Sequence, residues 1–284
     1  MTRGVCYIAT REPYLSEAEH SAESIRAHHP EMPITLYAPA DVPHPPIFDS
    51  AETIADPSHN FSDSNLTSQH VPYDRTLFLD TDTYVAAPLD AVFDMLDRFD
   101  IAAAQDPARE GTAPHEHEHD VPATFPQYNT GVVAYRDTAG VRDLFDRWNE
   151  LYHTVDGVAY GLNQPTFRMA AYESDLDIGT LPAEYNFRIG NVANKVNYAC
   201  GPVVILHGRS AWWDIEQLAE RLNETHERRV VIVKSGSIQV ITNDERTTAQ
   251  SAGYWLDRMH WKYQKAGTRG IAGYALGRVR AVLT

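Results

Sequence analysis

The sequence predicts an α/β protein: a mostly parallel central sheet with helices on both faces, then a C-terminal hairpin and a helical appendage. Three observations carry this. Strand-like and helix-like segments alternate over residues 1–105, the pattern of βα units. The apolar run Thr76-Leu77-Phe78-Leu79 leads straight into Asp80-Thr81-Asp82, so a core strand delivers two carboxylates to its end. Of the 284 residues, 43% are hydrophobic, enough for a full core and too many for a disordered chain.

Gly4–Ala9 is a short apolar run and reads as the first strand. Ser16–His29 has helical character, with Ser16 as N-cap and Glu19 completing a capping box. Pro30 and Pro33 stop it. Ile34–Tyr37, Glu52–Ala55 and Thr76–Leu79 follow as strands, Leu89–Arg98 as a short helix and Ile101–Ala104 as another strand. Asp106–Gln127 is long and polar and holds His115-Glu116-His117-Glu118-His119. A solvated acidic loop is expected there, placed to act as a lid, in preference to a metal site built from the three imidazoles. Thr130–Tyr135 returns to strand. Gly140–Tyr152 is an amphipathic helix, Gln164–Tyr172 a shorter one, and Val203–Leu206 the last core strand, ending in His207-Gly208. Val230–Val233 and Ile238–Ile241 flank Ser235-Gly236, a hairpin signal. The expected division is a ligand-binding domain over 1–210 and an appendage over 211–284.

The formal net charge is −15, the wrong sign for binding nucleic acid through its phosphates. Only four of the 24 basic side chains are lysines, Lys195, Lys234, Lys262 and Lys265. Many acids with few lysines suggest a surface suited to high salt, where screening shortens to about 3 Å at 1 M. The segment from Ser251 departs from this. It carries Arg258, Lys262, Lys265, Arg269, Arg278 and Arg280 against Asp257, interleaved with Trp255, Met259, Trp261 and Tyr263. That pattern fits a helix lying on an anionic membrane surface, or one packed on the domain. No run reaches the roughly 18–20 apolar residues of a membrane span, and Met1–Thr10 reads as a strand and not a signal peptide. The expected location is cytoplasmic, with peripheral contact at the inner face of the membrane. Cys6 and Cys200 both flank apolar stretches and are expected as buried, reduced thiols.

At the end of such a strand, Asp80 and Asp82 face the same side and can approach one hard divalent cation. A solvated strand end is the plainer alternative in an acid-rich chain, but the apolar runs on both sides make two acids there require a reason. Asp80 to Thr83 also fits the Asp-x-Asp-x-Thr string of haloacid-dehalogenase-like phosphatases. Those enzymes need a downstream lysine and a further acidic pair. Here the first downstream lysine is Lys195, and no apolar strand with paired acids follows it.

A second resemblance is more specific. Pro72-Tyr73-Asp74-Arg75-Thr76-Leu77-Phe78-Leu79-Asp80-Thr81-Asp82-Thr83, then Tyr128-Asn129-Thr130-Gly131-Val132-Val133, then Asn163-Gln164-Pro165, then Leu206-His207-Gly208 stand in one order. Together they resemble glycosyltransferase family 8 and its glycogenin-like relatives, over roughly residues 3–210. The resemblance implies a GT-A fold and metal-dependent transfer of a hexose from a nucleotide diphosphate sugar, by default a UDP-sugar. The acceptor would be a hydroxyl on a glycan or lipid-linked molecule, and the anomeric configuration would be retained. It implies Asp80, Asp82 and His207 as ligands of Mn²⁺ or Mg²⁺, with imidazole favouring Mn²⁺. Thr81, Gly208 and Arg209 would lie beside the diphosphate, and Asn129, Thr130 and Gly131 beside the donor sugar. Ala9, Thr10 and Tyr14 would meet the nucleobase, and Gln164 the anomeric carbon.

Two departures qualify the resemblance. Asn163 stands where the family has Asp, so no carboxylate is available there as base or nucleophile. Asp63-Ser64-Asn65 stand where relatives carry a basic residue, 15–17 positions ahead of the first metal acid. A non-catalytic nucleotide-sugar-binding protein is therefore the alternative.

Overall fold

A computed structural model describes residues 1–106, 121–154, 162–189, 195–209, 214–234 and 237–242, with a few more between 256 and 268. It forms two compact units, Met1–Val240 and Ile241–Thr284.

The first unit is built on a seven-stranded sheet. Its strands are β1 (Arg3–Ile8), β2 (Ile34–Ala38), β3 (Ser50–Thr53), β4 (Arg75–Leu79), β6 (Ile101–Gln105), β7 (Tyr128–Arg136) and β8 (Ile178–Leu181), and their order is β3-β2-β1-β4-β7-β6-β8. Neighbours run parallel except at β7, which is antiparallel to both β4 and β6. All but the edge strands β3 and β8 bury residues on both faces, as a parallel sheet under two helical layers requires. On one face α1 (Glu12–His28) and α2 (Asp90–Met95) pack through Leu15, Ala18, Ile25, Val92 and Phe93 onto Val5, Tyr7, Leu36 and Leu77. On the other, α3 (Ala139–Thr154) and α4 (Gln164–Glu173) pack Phe145, Trp148 and Phe167 onto Phe78, Val133 and Tyr135.

Two three-stranded sheets follow. One joins β5 (Thr83–Val85), β11 (Ile205–His207) and β9 (Phe187–Arg188). The other joins β10 (Lys195–Ala199), β12 (Arg229–Lys234) and β13 (Ser237–Thr242). Helix α5 (Ile215–Leu222) closes a third apolar cluster through Leu218 and Leu222 against Phe187, Leu206 and Val231. The Asp214 carboxylate caps α5 by accepting from the Glu216 and Gln217 amides.

Three details differ from expectation. Helix α1 begins a turn early, at Glu12, because Pro13 in its first turn presets helical φ; Ser16 lies inside the helix and does not cap it. The strand that ends in His207 belongs to the small β5-β11-β9 sheet and not to the main one. Cys6 is buried, its thiol pushed up to about 12 by burial, but Cys200 is exposed at the bend after β10. The turn at Ser235-Gly236 and the His115–His119 run lie outside the described residues, as do Trp255, Arg258, Trp261, Lys262 and Lys265 of the basic tail. Among the described residues no helix is long and apolar enough to cross a membrane.

Candidate metal and donor site

Ligands of open α/β sheets collect outside the carboxyl ends of the parallel strands. The reversed direction of β7 brings its amino end to that same mouth. Leu79 at the end of β4 pairs with Val132, and the Asp80 amide donates to the Gly131 carbonyl at 2.8 Å. The strand stops there. Asp80-Thr81-Asp82 form a tight turn into β5, closed by the Thr83 hydroxyl donating to the Asp80 carbonyl at 2.8 Å. The two acids thus meet because a turn folds them together, not because alternate positions of one strand share a face.

Strand β11 pairs antiparallel with β5, setting His207 opposite Thr83. Its Nε2 lies 3.4 Å from both Asp80 Oδ2 and Asp82 Oδ1. One ligand atom from each of Asp80, Asp82 and His207 falls within 4.8 Å of the others. Gly131 forms the floor. A Cβ there would stand 2.1 Å from His207 Cε1 and 2.4 Å from Asp80 Oδ2, so only glycine lets the backbone come this close.

A chain of hydrogen bonds orients the imidazole. The Gly131 amide can only donate, and it donates to Asn129 Oδ1 at 3.1 Å. Asn186 Nδ2 donates to the same oxygen at 2.9 Å, which turns Asn186 Oδ1 toward His207 Nδ1 at 2.8 Å. The Asn186 oxygen can only accept, so Nδ1 donates to it, and Nε2 faces the two carboxylates. Arg188 Nη1 lies 2.8 Å from Nδ1 and 2.7 Å from Nε2. Burial would raise the Asp82 carboxyl, but His207, Arg209 and Arg188 more than offset it and hold Asp82 well below the ordinary carboxylate range. Two carboxylates and an imidazole nitrogen over a glycine floor fit a divalent cation of the Mn²⁺ or Mg²⁺ kind.

The turn is held from below by one stripe of α1. Thr81 donates to Glu17 Oε2 at 2.9 Å, the Ser21 and Thr83 hydroxyls meet at 2.8 Å, and the Val85 amide donates to Ser24 Oγ at 2.8 Å. Residues 17, 21 and 24 share a helix face, which meets the turn at 81 and strand β5 at 83 and 85. Past β11, Gly208 adopts φ 131°, a conformation L side chains rarely reach, and its amide donates to the Asp82 carbonyl at 2.9 Å. Arg209 is thereby folded back. It grips Glu17 through Nε at 2.5 Å and Nη2 at 2.6 Å, places Nη1 3.3 Å from Asp82 Oδ2, and lies over the Tyr14 ring at 5.4 Å. The Glu17 fork raises the Arg209 pKa above its ordinary value, against burial, so the guanidinium is permanently charged.

The remaining sequence-chosen residues fall into two groups. Ala9 is buried at the end of β1, and Thr10 lines a cleft of about 480 Å³ with Arg11, Glu12, Pro39, Asp41 and His59. Tyr14 stands apart from that cleft's lining, under Arg209. Asn163 precedes α4 without capping it with its side chain. Its Oδ1 accepts from Thr130 Oγ1 at 2.9 Å and its Nδ2 donates to Asn65 Oδ1 at 3.0 Å. Gln164 is nearly buried, and its Oε1 accepts from Gln127 Nε2 at 3.5 Å. Asn129, read as a sugar contact, spends its Oδ1 on Gly131 and Asn186. Sequence reasoning missed Glu17, Asn186 and Arg188. For Glu17 a signal existed: Glu17, Ser21 and Ser24 form a polar i, i+4, i+7 stripe beside the apolar face of α1. For Asn186 and Arg188 there was none.

By sequence, no family model and no curated protein matches the chain. By structure it is similar to the galactosyltransferase LgtC in complex with donor and acceptor sugar analogues. The TM-score is 0.51 at 16% identity, over 78% of this chain and 94% of that one. It is likewise similar to the glycosyltransferase GlyE of Streptococcus pneumoniae TIGR4, with a TM-score of 0.56 at 17% identity over 79% of this chain, which spans 61% of GlyE. At such identities the likeness is one of fold. The chain has the GT-A fold of these glycosyltransferases, with the reversed strand β7 bringing Gly131 against the acids at the mouth of its sheet.

Proposed function

We propose that the chain is a metal-dependent glycosyltransferase. It moves a hexose from a nucleotide diphosphate sugar, by default a UDP-sugar, to a hydroxyl of a glycan or lipid-linked acceptor. The observation that carries this is the convergence of Asp80, Asp82 and His207 Nε2 within 4.8 Å over the backbone of Gly131. A cation held there would supply Lewis-acid neutralisation of charge on the departing diphosphate.

The chain's own groups do the rest. Asp80 and Asp82 would hold the ion through oxygen and His207 through Nε2, while Asn129 and Asn186 orient the imidazole through Nδ1. Arg209 offers a permanent positive charge for a phosphate oxygen, and Gly208 lets backbone come close to it. Thr10 and Arg11, with the cleft they line, would receive the nucleobase, while Tyr14, outside that lining, would steady Arg209. Gln164 is assigned the anomeric carbon, where its amide oxygen can face developing positive charge. Asn163 cannot serve as an anionic nucleophile, so retention rests on the family resemblance and on Gln164.

The test is turnover of a panel of UDP- and GDP-sugars with Mn²⁺, comparing wild type with Asp82→Ala. Turnover in wild type that Asp82→Ala abolishes supports the transferase. Tight donor binding with no turnover in either makes the chain a nucleotide-sugar-binding protein, the reading favoured by the neutral Asn163. The tail over 251–284 is assigned to the inner membrane face, near a lipid-linked acceptor. Flotation with anionic liposomes checks this against a chain ending at residue 250, and equal binding refutes it.

A further inference from the structure

We propose that Glu17 is a positioning residue for the donor diphosphate, acting through Arg209. The inference deepens the reading above and rests on it. Glu17 sits one turn into α1, on the stripe whose other two members, Ser21 and Ser24, fasten β5 to the helix, Ser21 also meeting the Tyr7 hydroxyl of β1 at 2.8 Å. Glu17 does more. Its carboxylate joins three separate elements: helix α1, the Asp80–Asp82 turn through the Thr81 hydroxyl at 2.9 Å, and the loop after β11 through both arms of Arg209.

The geometry makes Arg209 directional. Its Nε and Nη2 are spent on Glu17, at 2.5 and 2.6 Å, and the plane is steadied by the Tyr14 ring. A guanidinium held by a fork cannot rotate about its axis, so the remaining nitrogen, Nη1, has one direction to point. That direction is toward Asp82, 3.3 Å away. An arginine free in solvent would carry the same charge but lose rotamer entropy on meeting a phosphate. One already clamped has lost it on folding. Charge balance points the same way. Asp80, Asp82 and Glu17 face Arg188 and Arg209, one net negative charge, which a divalent cation turns into one net positive charge. The pocket therefore attracts a diphosphate only once the ion is in place. With an ion held by Asp80, Asp82 and His207, Nη1 would be the donor left for the phosphate.

The experiment is calorimetric titration of UDP into wild type, Glu17→Gln and Glu23→Gln, each saturated with Mn²⁺. Glu23 is an exposed acid on the same helix, so Glu23→Gln makes the same change in charge away from the clamp. Glu17→Gln is expected to weaken UDP binding about tenfold, the scale of a lost charge-assisted fork. Glu23→Gln should bind as wild type does. Mn²⁺ titrations on the same proteins should give one common affinity, and thermal melts should show all three folded. Under steady-state turnover the change should fall on KM for the donor, with kcat within about twofold. Arg209→Gln should be no weaker when Glu17→Gln is added, because the two act as one unit. Wild-type affinity in Glu17→Gln, or additive losses in the double variant, overturns the inference while leaving the transferase reading in place. Wild type that binds no nucleoside diphosphate overturns both.

Discussion

Two corners of the same strand end face each other across Thr130, and they are built on opposite principles. At Gly131 the side chains are charged: Asp80, Asp82, Glu17, Arg188 and Arg209 around one imidazole. At Asn163 they are neutral: Asn149, Asn65, Asn163 and Thr130 pass hydrogen bonds from one to the next, at 3.4, 3.0 and 2.9 Å. The charged corner holds like charges a few ångströms apart, an arrangement that a bound cation relieves. The neutral corner is satisfied by its own members and gains nothing from an ion. Charge is thus concentrated where a ligand is to be held, and amides are used where shape is to be kept, since a closed amide network carries no desolvated charge.

The largest effect expected on this contrast comes from filling the floor of the charged corner. Gly131→Ala forces a methyl to within 2.1 Å of the His207 ring and 2.4 Å of Asp80. Overpacking of this kind costs about 1–3 kcal/mol. Because it falls on ligand geometry, Mn²⁺ affinity should drop about 100-fold. Calorimetric Mn²⁺ titration measures it. An unchanged affinity would mean that these three side chains do not close on a common ion.

Asn186→Leu should have a smaller effect at the same corner. It removes the acceptor for His207 Nδ1 while preserving bulk. Orienting partners of this sort are worth about 10–100-fold in metal affinity, and the low end is expected because Arg188 still contacts the ring. If Asn186→Leu binds Mn²⁺ like wild type, the imidazole is oriented by something other than the Asn129–Asn186 chain.

How much of this was readable in the sequence follows from the same contrast. Asp80, Asp82 and His207 each sit beside an apolar strand, so local pattern exposed them, and the order of four short motifs gave the fold. What pattern could not give was the joinery. Glu17 meets Arg209 across 192 positions and Asn186 meets Asn129 across 57. Such contacts depend on how β11 docks on β5, which no local period encodes. The Asp80–Asp82 turn resembled a strand because the apolar residues on both sides belong to two strands, β4 and β5. The start of α1 was misplaced because a capping-box spacing at Ser16 competed with Pro13, and the proline's fixed φ decided the boundary.

The smallest effect, and the one that probes the neutral corner directly, belongs to Asn163→Asp. The substitution restores the carboxylate expected from the family resemblance. An Asp at this position keeps the bond from Thr130 but loses the donor to Asn65 Oδ1, leaving two oxygens face to face at 3.0 Å. Position 163 is 6% exposed and Asn65 is fully buried, so water cannot mediate. The Asn65 amide can turn its nitrogen toward the new carboxylate, surrendering only its long 3.4 Å contact with Asn149. The cost should therefore be the modest one of a re-formed network, about 1–2 kcal/mol, read as a lower midpoint in denaturant. Adding Asn65→Lys supplies a countercharge where the family has a basic residue, and the double variant should recover about 1 kcal/mol or more relative to the sum of the single changes. Additive losses would show that residues 65 and 163 are neighbours without being partners. Full stability in Asn163→Asp alone would show that this corner tolerates charge, and the division of labour between the two corners would then fail at its neutral end.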